Sequence, residues 1–238
     1  MDTDNLSEVT DFLLQATNPE PLDPELEAYM GQSSIGMSIR HPLVYSVIHH
    51  PAMNAFVNAQ LEQKQRAVRN AYENEDWHRY VWLHERPYRA EAFFNVMDYI
   101  TDDSEYWGLL GEVWIDSENI RQNPRLWKRL LSSNRAGVLE MMNRDEREAL
   151  GDMPVAITVY QGHTTSRDDG WSWTIDRDKA VWFAQRFAAL ETGMPMVTTG
   201  CVFHHHVKAY FTRRGESEIL VDRRLVINRS FEHLELEG

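Results

Sequence analysis

Val155-Ala156-Ile157-Thr158-Val159-Tyr160-Gln161-Gly162 is the stretch at which the chain changes its periodicity. It follows Pro154, is rich in β-branched residues, and reads as a strand that runs into a turn at Gly162. Upstream, as far back as His41, apolar residues recur at helical spacing. Downstream, short apolar runs alternate with turn residues. The contrast predicts an α+β fold, with a helical first half followed by a strand-rich half around one embedded helix.

Downstream, residues 171–175 form a second short strand behind the Asp168-Asp169-Gly170 turn. Asp176 then caps a helix whose apolar face is Ala180, Phe183, Ala184, Phe187 and Ala188, and Gly193-Met194-Pro195 ends it. Further strands are expected over 196–199, 201–210, 217–221 and 225–234. Gly200, Arg213-Arg214-Gly215 and Asp222-Arg223-Arg224 supply their turns.

Upstream, residues 58–72 are rich in helix formers, and residues 76–85 start on a capping Asp76 and stop before Pro87. Over 89–100, Phe93, Val96, Met97 and Ile100 fall at i, i+3, i+4, i+7. Pro124 suits a helix start ahead of Leu126, Trp127, Leu130 and Leu131, and a last helix over 145–150 stops at Gly151. Trp77, Tyr80, Trp82, Tyr88, Phe93, Phe94, Tyr99, Tyr106, Trp107, Trp114 and Trp127 make a dense aromatic set in this half. A base-stacking surface would need interleaved basic charge, so the set reads as core. Residues 1–40 read as an extended lead segment with one apolar patch at Phe12-Leu13-Leu14 and a short helix over 7–16. The domain reading is therefore a lead segment to 40, a helical region 41–152 and a β core 153–238, or one continuous domain joining the last two.

The 238 residues carry 24 Lys and Arg against 37 Asp and Glu, a formal charge of −13 that repels phosphate backbones. General nucleic-acid binding is disfavoured. Cys201 is the single cysteine, which excludes an internal disulfide framework. With no long unbroken apolar run and an acidic start, the chain is expected to be soluble and cytoplasmic, without a membrane partner.

Three pieces stand out in order. They are the strand ending Tyr160-Gln161-Gly162, the run Ser172-Trp173-Thr174 ahead of the Ala/Phe helix, and Glu216-Ser217-Glu218 opening into Ile219-Leu220-Val221. Alternation would put both glutamates on one side of a chain entering a sheet. In this order the pieces resemble the mono-ADP-ribosyltransferases of the Arg-Ser-Glu class. That family carries an aromatic-Arg-Gly strand, a Ser-Thr-Ser strand followed by a helix with Phe-Ala, and a Glu-x-Glu before an apolar strand. The resemblance covers about 155–228. Tyr106-Trp107-Gly108-Leu109-Leu110 and Arg144-Asp145-Glu146-Arg147 also look like uncharacterised phage proteins that carry this module.

The resemblance implies a core of two small packed mixed sheets around the helix, NAD as cofactor, and a target protein, such as a host factor, as acceptor. Breaking the nicotinamide–ribose bond develops oxocarbenium charge, which a carboxylate at the ribose stabilises. By resemblance Glu218 is that carboxylate and Glu216 positions the acceptor, with arginine as the first guess. Tyr160, Gln161, Gly162, Ser172, Trp173 and Thr174 would line the cofactor, Ser172 orienting Glu218. Gln161 stands where the family has arginine, so the charge-assisted grip on the dinucleotide phosphates is lost. That lowers affinity by about 1 to 2 kcal/mol, roughly tenfold. Three readings follow: His163 or Arg167 substitutes, NAD binds weakly, or the scaffold is a non-catalytic module that blocks a host factor or sequesters a nucleotide. An NAD glycohydrolase shares the same carboxylate chemistry.

Two other features favour ordinary roles. In His204-His205-His206, alternation would place two rings on one strand face, but no zinc-protease helix motif or cysteine pair accompanies them. His163-Thr164-Thr165 is a single motif of a kind that two-histidine phosphoesterases need twice.

Overall fold

In the computed structural model, residues 19–118, 120–166, 170–213 and 215–235 are described here. The chain divides into two units, Met1–Tyr99 and Ile100–Gly238, so the boundary falls inside the stretch read as one helical region. The short helix expected over 7–16 and its Phe12-Leu13-Leu14 patch lie outside the described residues, as does Arg167.

Over residues 19–40 the first unit corrects the extended lead segment. A one-turn helix α1 (Pro24–Glu27) leads into strands β1 (Met30–Ser33) and β2 (Gly36–Arg40), and β2 pairs with the short β3 (Tyr45–Ser46). All pairs are antiparallel, with Met30 opposite Ile39 and Gln32 opposite Met37. The sequence hides the hairpin because Gly31, Ser33, Ser34 and Gly36 dilute its apolar alternation. Its one fully buried apolar side chain, Ile39, joins Leu22, Leu26, Leu43, Val44, Val57 and Leu61 in a core. Helices α2 (Asn54–Glu73), α3 (Trp77–Leu83) and α4 (Arg89–Val96) follow. Asp76 caps α3 by accepting from the Arg79 amide at 3.0 Å, and Phe93 and Val96 are fully buried.

The second unit begins with α5 (Asp103–Asp116), α6 (Pro124–Leu131) and α7 (Arg144–Gly151). Trp107, Leu110, Gly111 and Trp114 make a buried i, i+3, i+4, i+7 stripe on α5. Of the aromatics read as core, Trp77, Phe93, Tyr106, Trp107, Trp114 and Trp127 are buried, Tyr80, Trp82 and Tyr88 are half-buried, and Phe94 and Tyr99 are exposed, which corrects the reading for those two.

After them come β4 (Ala156–Thr164), β5 (Ser172–Thr174), helix α8 (Arg177–Leu190), β6 (Pro195–Phe203), β7 (Ala209–Phe211), β8 (Glu218–Leu220) and β9 (Ile227–His233). They form one six-stranded sheet in the order β7-β8-β5-β4-β6-β9, antiparallel at every junction. The molecule is therefore α+β with two small sheets, one in each unit. The strands after residue 153 join a single sheet rather than two packed on each other.

Two glycines read as turns lie inside strands. Strand β4 continues through Gly162 because α8 crosses it there: a Cβ at Gly162 would lie 1.9 Å from the Ala180 carbonyl oxygen and 2.7 Å from the Ala184 amide. Ala180, Ala184 and Val197 form the buried seam of this contact. Strand β6 likewise runs through Gly200, where a Cβ would meet Val226 at 2.4 Å, and its pairing with β9 shifts register there. Glycine in a strand marks close approach as readily as a turn, and spacing alone does not distinguish the two.

Candidate active site

The sheet register decides which motif residues meet. Phe211 lies opposite Glu218, Glu218 opposite Thr174, Thr174 opposite Tyr160, and Tyr160 opposite Thr199. Directly paired residues point to the same face, so one row crosses five strands and contains a residue from each of the three motif pieces. Ser172 pairs with Leu220, one same-face step along β5 from Thr174. Gln161 and Trp173, each one residue off the row, point to the other face.

Glu218 is only 7 % exposed. The indole Nε1–H of Trp114, on α5, donates to both of its carboxylate oxygens at 3.3 Å. Trp114 is itself fully buried and packs edge-on against Trp127, with ring centroids 5.0 Å apart. A buried carboxylate is tolerated only where donors compensate its lost hydration, and the aromatic wall supplies one. This residue was not legible as a site member, since 104 residues separate it from Glu218.

Glu216 does not share a strand face with Glu218, as alternation had suggested. Strand β8 begins only at Glu218, and Ser217 between the two acids takes a left-handed φ of 46°. A non-glycine residue in that region costs about 1–2 kcal/mol, so the turn must be held by its surroundings. Thr174 holds it from one side. Its hydroxyl donates to the Glu216 carbonyl at 2.7 Å and accepts from the Asp176 amide at 3.1 Å, tying the turn to the start of α8.

Glu146 holds the other side, and sequence reasoning missed it. Its buried carboxylate accepts from the Thr212 amide at 3.0 Å and, through its other oxygen, from the Asn143 amide at 3.0 Å. The Arg213 guanidinium closes on both oxygens at 3.3 and 3.2 Å. Burial pushes the Glu146 carboxyl up, but Arg213 and the two amides outweigh it and hold the group below the ordinary glutamate range. One side chain thus completes the capping box of α7 and clamps the residues between β7 and the Glu216 turn. The signal in the sequence was Asn143-x-x-Glu146 at a helix start; its second role depends on a residue 67 positions away.

The remaining candidates take structural positions. Gln161 is 4 % exposed; its Nε2 donates to the Ser172 carbonyl at 2.9 Å, while its Oε1 is buried without a partner among the described residues. Gly162 is the helix-crossing point. Trp173 is buried, and its Nε1 also has no hydrogen-bond partner among the described residues. His163, offered as a substitute for the family arginine, is 2 % exposed and held at both ring nitrogens, by the Thr164 carbonyl at 2.9 Å and the Thr198 hydroxyl at 2.7 Å. A carbonyl can only accept, so Nδ1 donates to it.

His204, His205 and His206 form a 3-10 turn rather than a strand, so the face-sharing argument for a metal does not apply. His204 Nε2 sits 2.9 Å from the Leu150 carbonyl. Among the described residues no cluster of three or more His, Cys, Asp or Glu is placed to hold a metal. Likewise, no described helix is long and apolar enough to cross a membrane. No family model, curated protein or solved structure matches the chain.

Proposed function

We propose that this chain is an NAD-dependent mono-ADP-ribosyltransferase that modifies a protein side chain, with arginine as the first acceptor to test, on a sheet of the ADP-ribosyltransferase kind. One observation carries the reading. Residues from three separate motif pieces, Tyr160, Thr174 and Glu218, share one row across the sheet, with Ser172 one step away. In this reading Glu218 stabilises the oxocarbenium charge at the ribose, and Ser172 orients ribose and carboxylate. Glu216, offset by the left-handed Ser217, faces the acceptor rather than the cofactor. The bond to nicotinamide breaks, nicotinamide leaves with the electron pair, and the acceptor nitrogen bonds to the ribose C1′ and releases a proton.

The test is intact-mass analysis of an arginine-rich acceptor protein incubated with NAD and the full chain. The expected product is acceptor heavier by one ADP-ribose, with equimolar nicotinamide. Nicotinamide and free ADP-ribose without modified acceptor would identify a glycohydrolase instead. Absence of both products contradicts an enzymatic reading.

The buried Gln161, with its amide nitrogen committed to the Ser172 carbonyl, favours a second reading: a non-catalytic module on the same scaffold that occupies a partner protein. Titration with NAD and with ADP-ribose separates the two. The enzyme gains thermal stability with either ligand, whereas the module gains none while still inactive.

A further inference from the structure

The strongest unassigned feature lies in the first unit and is independent of the functional reading. A groove of about 400 Å³ opens there, lined in part by Leu22, Met30, Met37 and Pro51, with Glu20 and Glu27 among its walls. Met30 and Met37 are 36 % and 37 % exposed although both project from the small sheet on the face that buries Ile39. The apolar surface continues beyond the groove. The His49 amide donates to the Met37 carbonyl at 2.7 Å, which lays the preceding Val47 and Ile48 beside β2, and Met53 and Phe56 follow; these four are 42–65 % exposed. A groove lined by exposed methionines, with further exposed apolar side chains close by in the chain, reads as a recognition surface on a chain this acidic.

The charge around the groove selects the occupant. Glu20 and Glu27 are the carboxylates among the residues lining the groove, and no lysine or arginine lines it among the described residues; Asp23 and Glu25 lie nearby in the chain. Asp23 is used as the cap of α1, and Glu25 is engaged by His41 at 3.0 Å and Gln65 at 2.7 Å. Glu27 stays exposed at the groove. Strand β1 is also an edge strand, bonded to β2 on one side only among the described residues. Such an edge can receive an extended segment whose backbone continues the sheet. We propose that this surface binds an extended segment of a protein partner that carries an apolar side chain for the Met30–Met37 groove and a flanking Lys or Arg for Glu27. A second copy of the chain fits less well, since it would bring the same carboxylates against each other.

The probe is an end-blocked, fluorescently labelled peptide of alternating valine and arginine, with its valine–glutamate counterpart as control, titrated by anisotropy against the full chain. Binding of the arginine peptide is expected, with no binding of the glutamate peptide. Met37→Asp should weaken it about tenfold and Glu27→Lys about fivefold, with thermal melts unchanged at these exposed positions. Three results overturn the proposal: equal binding of both peptides, no effect of either substitution, or no binding at all. Two more assign the groove to another occupant and so also overturn it. One is a concentration-dependent dimer abolished by Met37→Asp; the other is displacement of the probe at equal affinity by a synthetic peptide of residues 1–18.

Discussion

Glu146 on α7 and Glu218 at the start of β8 are both buried glutamates, and different groups hold them. Glu146 is enclosed by a guanidinium and two backbone amides, a set of donors that fixes a carboxylate in its ionised form and leaves it nothing else to do. Glu218 lies in a register row with Tyr160 and Thr174, and the indole N–H of Trp114 reaches it at 3.3 Å to each oxygen. Burial alone therefore does not say what a glutamate does; under the proposed reading it is the row shared with Tyr160 and Thr174 that sets Glu218 apart.

The comparison is broken most easily at the clamp. Glu146→Ala should lower stability by about 3 kcal/mol in urea unfolding, because it strands the Thr212 and Asn143 amides and leaves Arg213 half-buried without its partner. A loss under about 1 kcal/mol would show that the clamp is ornamental. Gly162→Ala should have a similar effect, about 2–3 kcal/mol, by pushing α8 off β4. A Gly200→Ala control, whose clash is with a movable valine side chain, should lose less.

Under the proposed reading Glu218→Gln should leave the protein folded in thermal melts, since the neutral isostere keeps an acceptor facing Trp114. If it unfolds the protein instead, Glu218 belongs with Glu146 as a structural acid. Trp114→Phe keeps an aromatic wall and removes the N–H. It should reduce stability by about 1 kcal/mol and lower turnover more than NAD affinity, as expected of a positioning residue.

Acid sharpens the contrast further. The folded Glu146 carboxyl sits below its unfolded value, so its contribution is complete above the ordinary glutamate range, near 4.5, and is lost as pH falls through the lower folded value. The wild type should therefore lose stability in that window more steeply than Glu146→Ala, as measured by urea midpoints at successive pH values. Parallel curves would remove Glu146 from the account.

Much of this arrangement was legible before any coordinates, and the failures share a cause. Helix starts at Asp76, Pro124 and Asp176 were readable because caps and prolines act locally. The strand at 156–164 was readable from its β-branched run, but its continuation through Gly162 depends on a helix that crosses from twenty residues later. His204-His205-His206 looked like a strand because spacing cannot see that the chain must turn from β6 toward β7. The hairpin over 30–40 was masked by its small residues, whose packing partner is a core assembled from residues up to Leu61. The motif glutamates were visible, whereas Trp114 and Glu146 were not, because each meets its partner across a long loop of sequence.

Nicotinamide release tests most directly the proposed role of Glu218 at the ribose. The wild type and Glu218→Gln would be compared at equal concentration with NAD and acceptor, after melts confirm that both are folded. The account expects steady release by the wild type and a fall of at least about a hundredfold in the variant, with NAD-induced thermal stabilisation retained. Equal release by the two proteins, or none by the wild type, would contradict it.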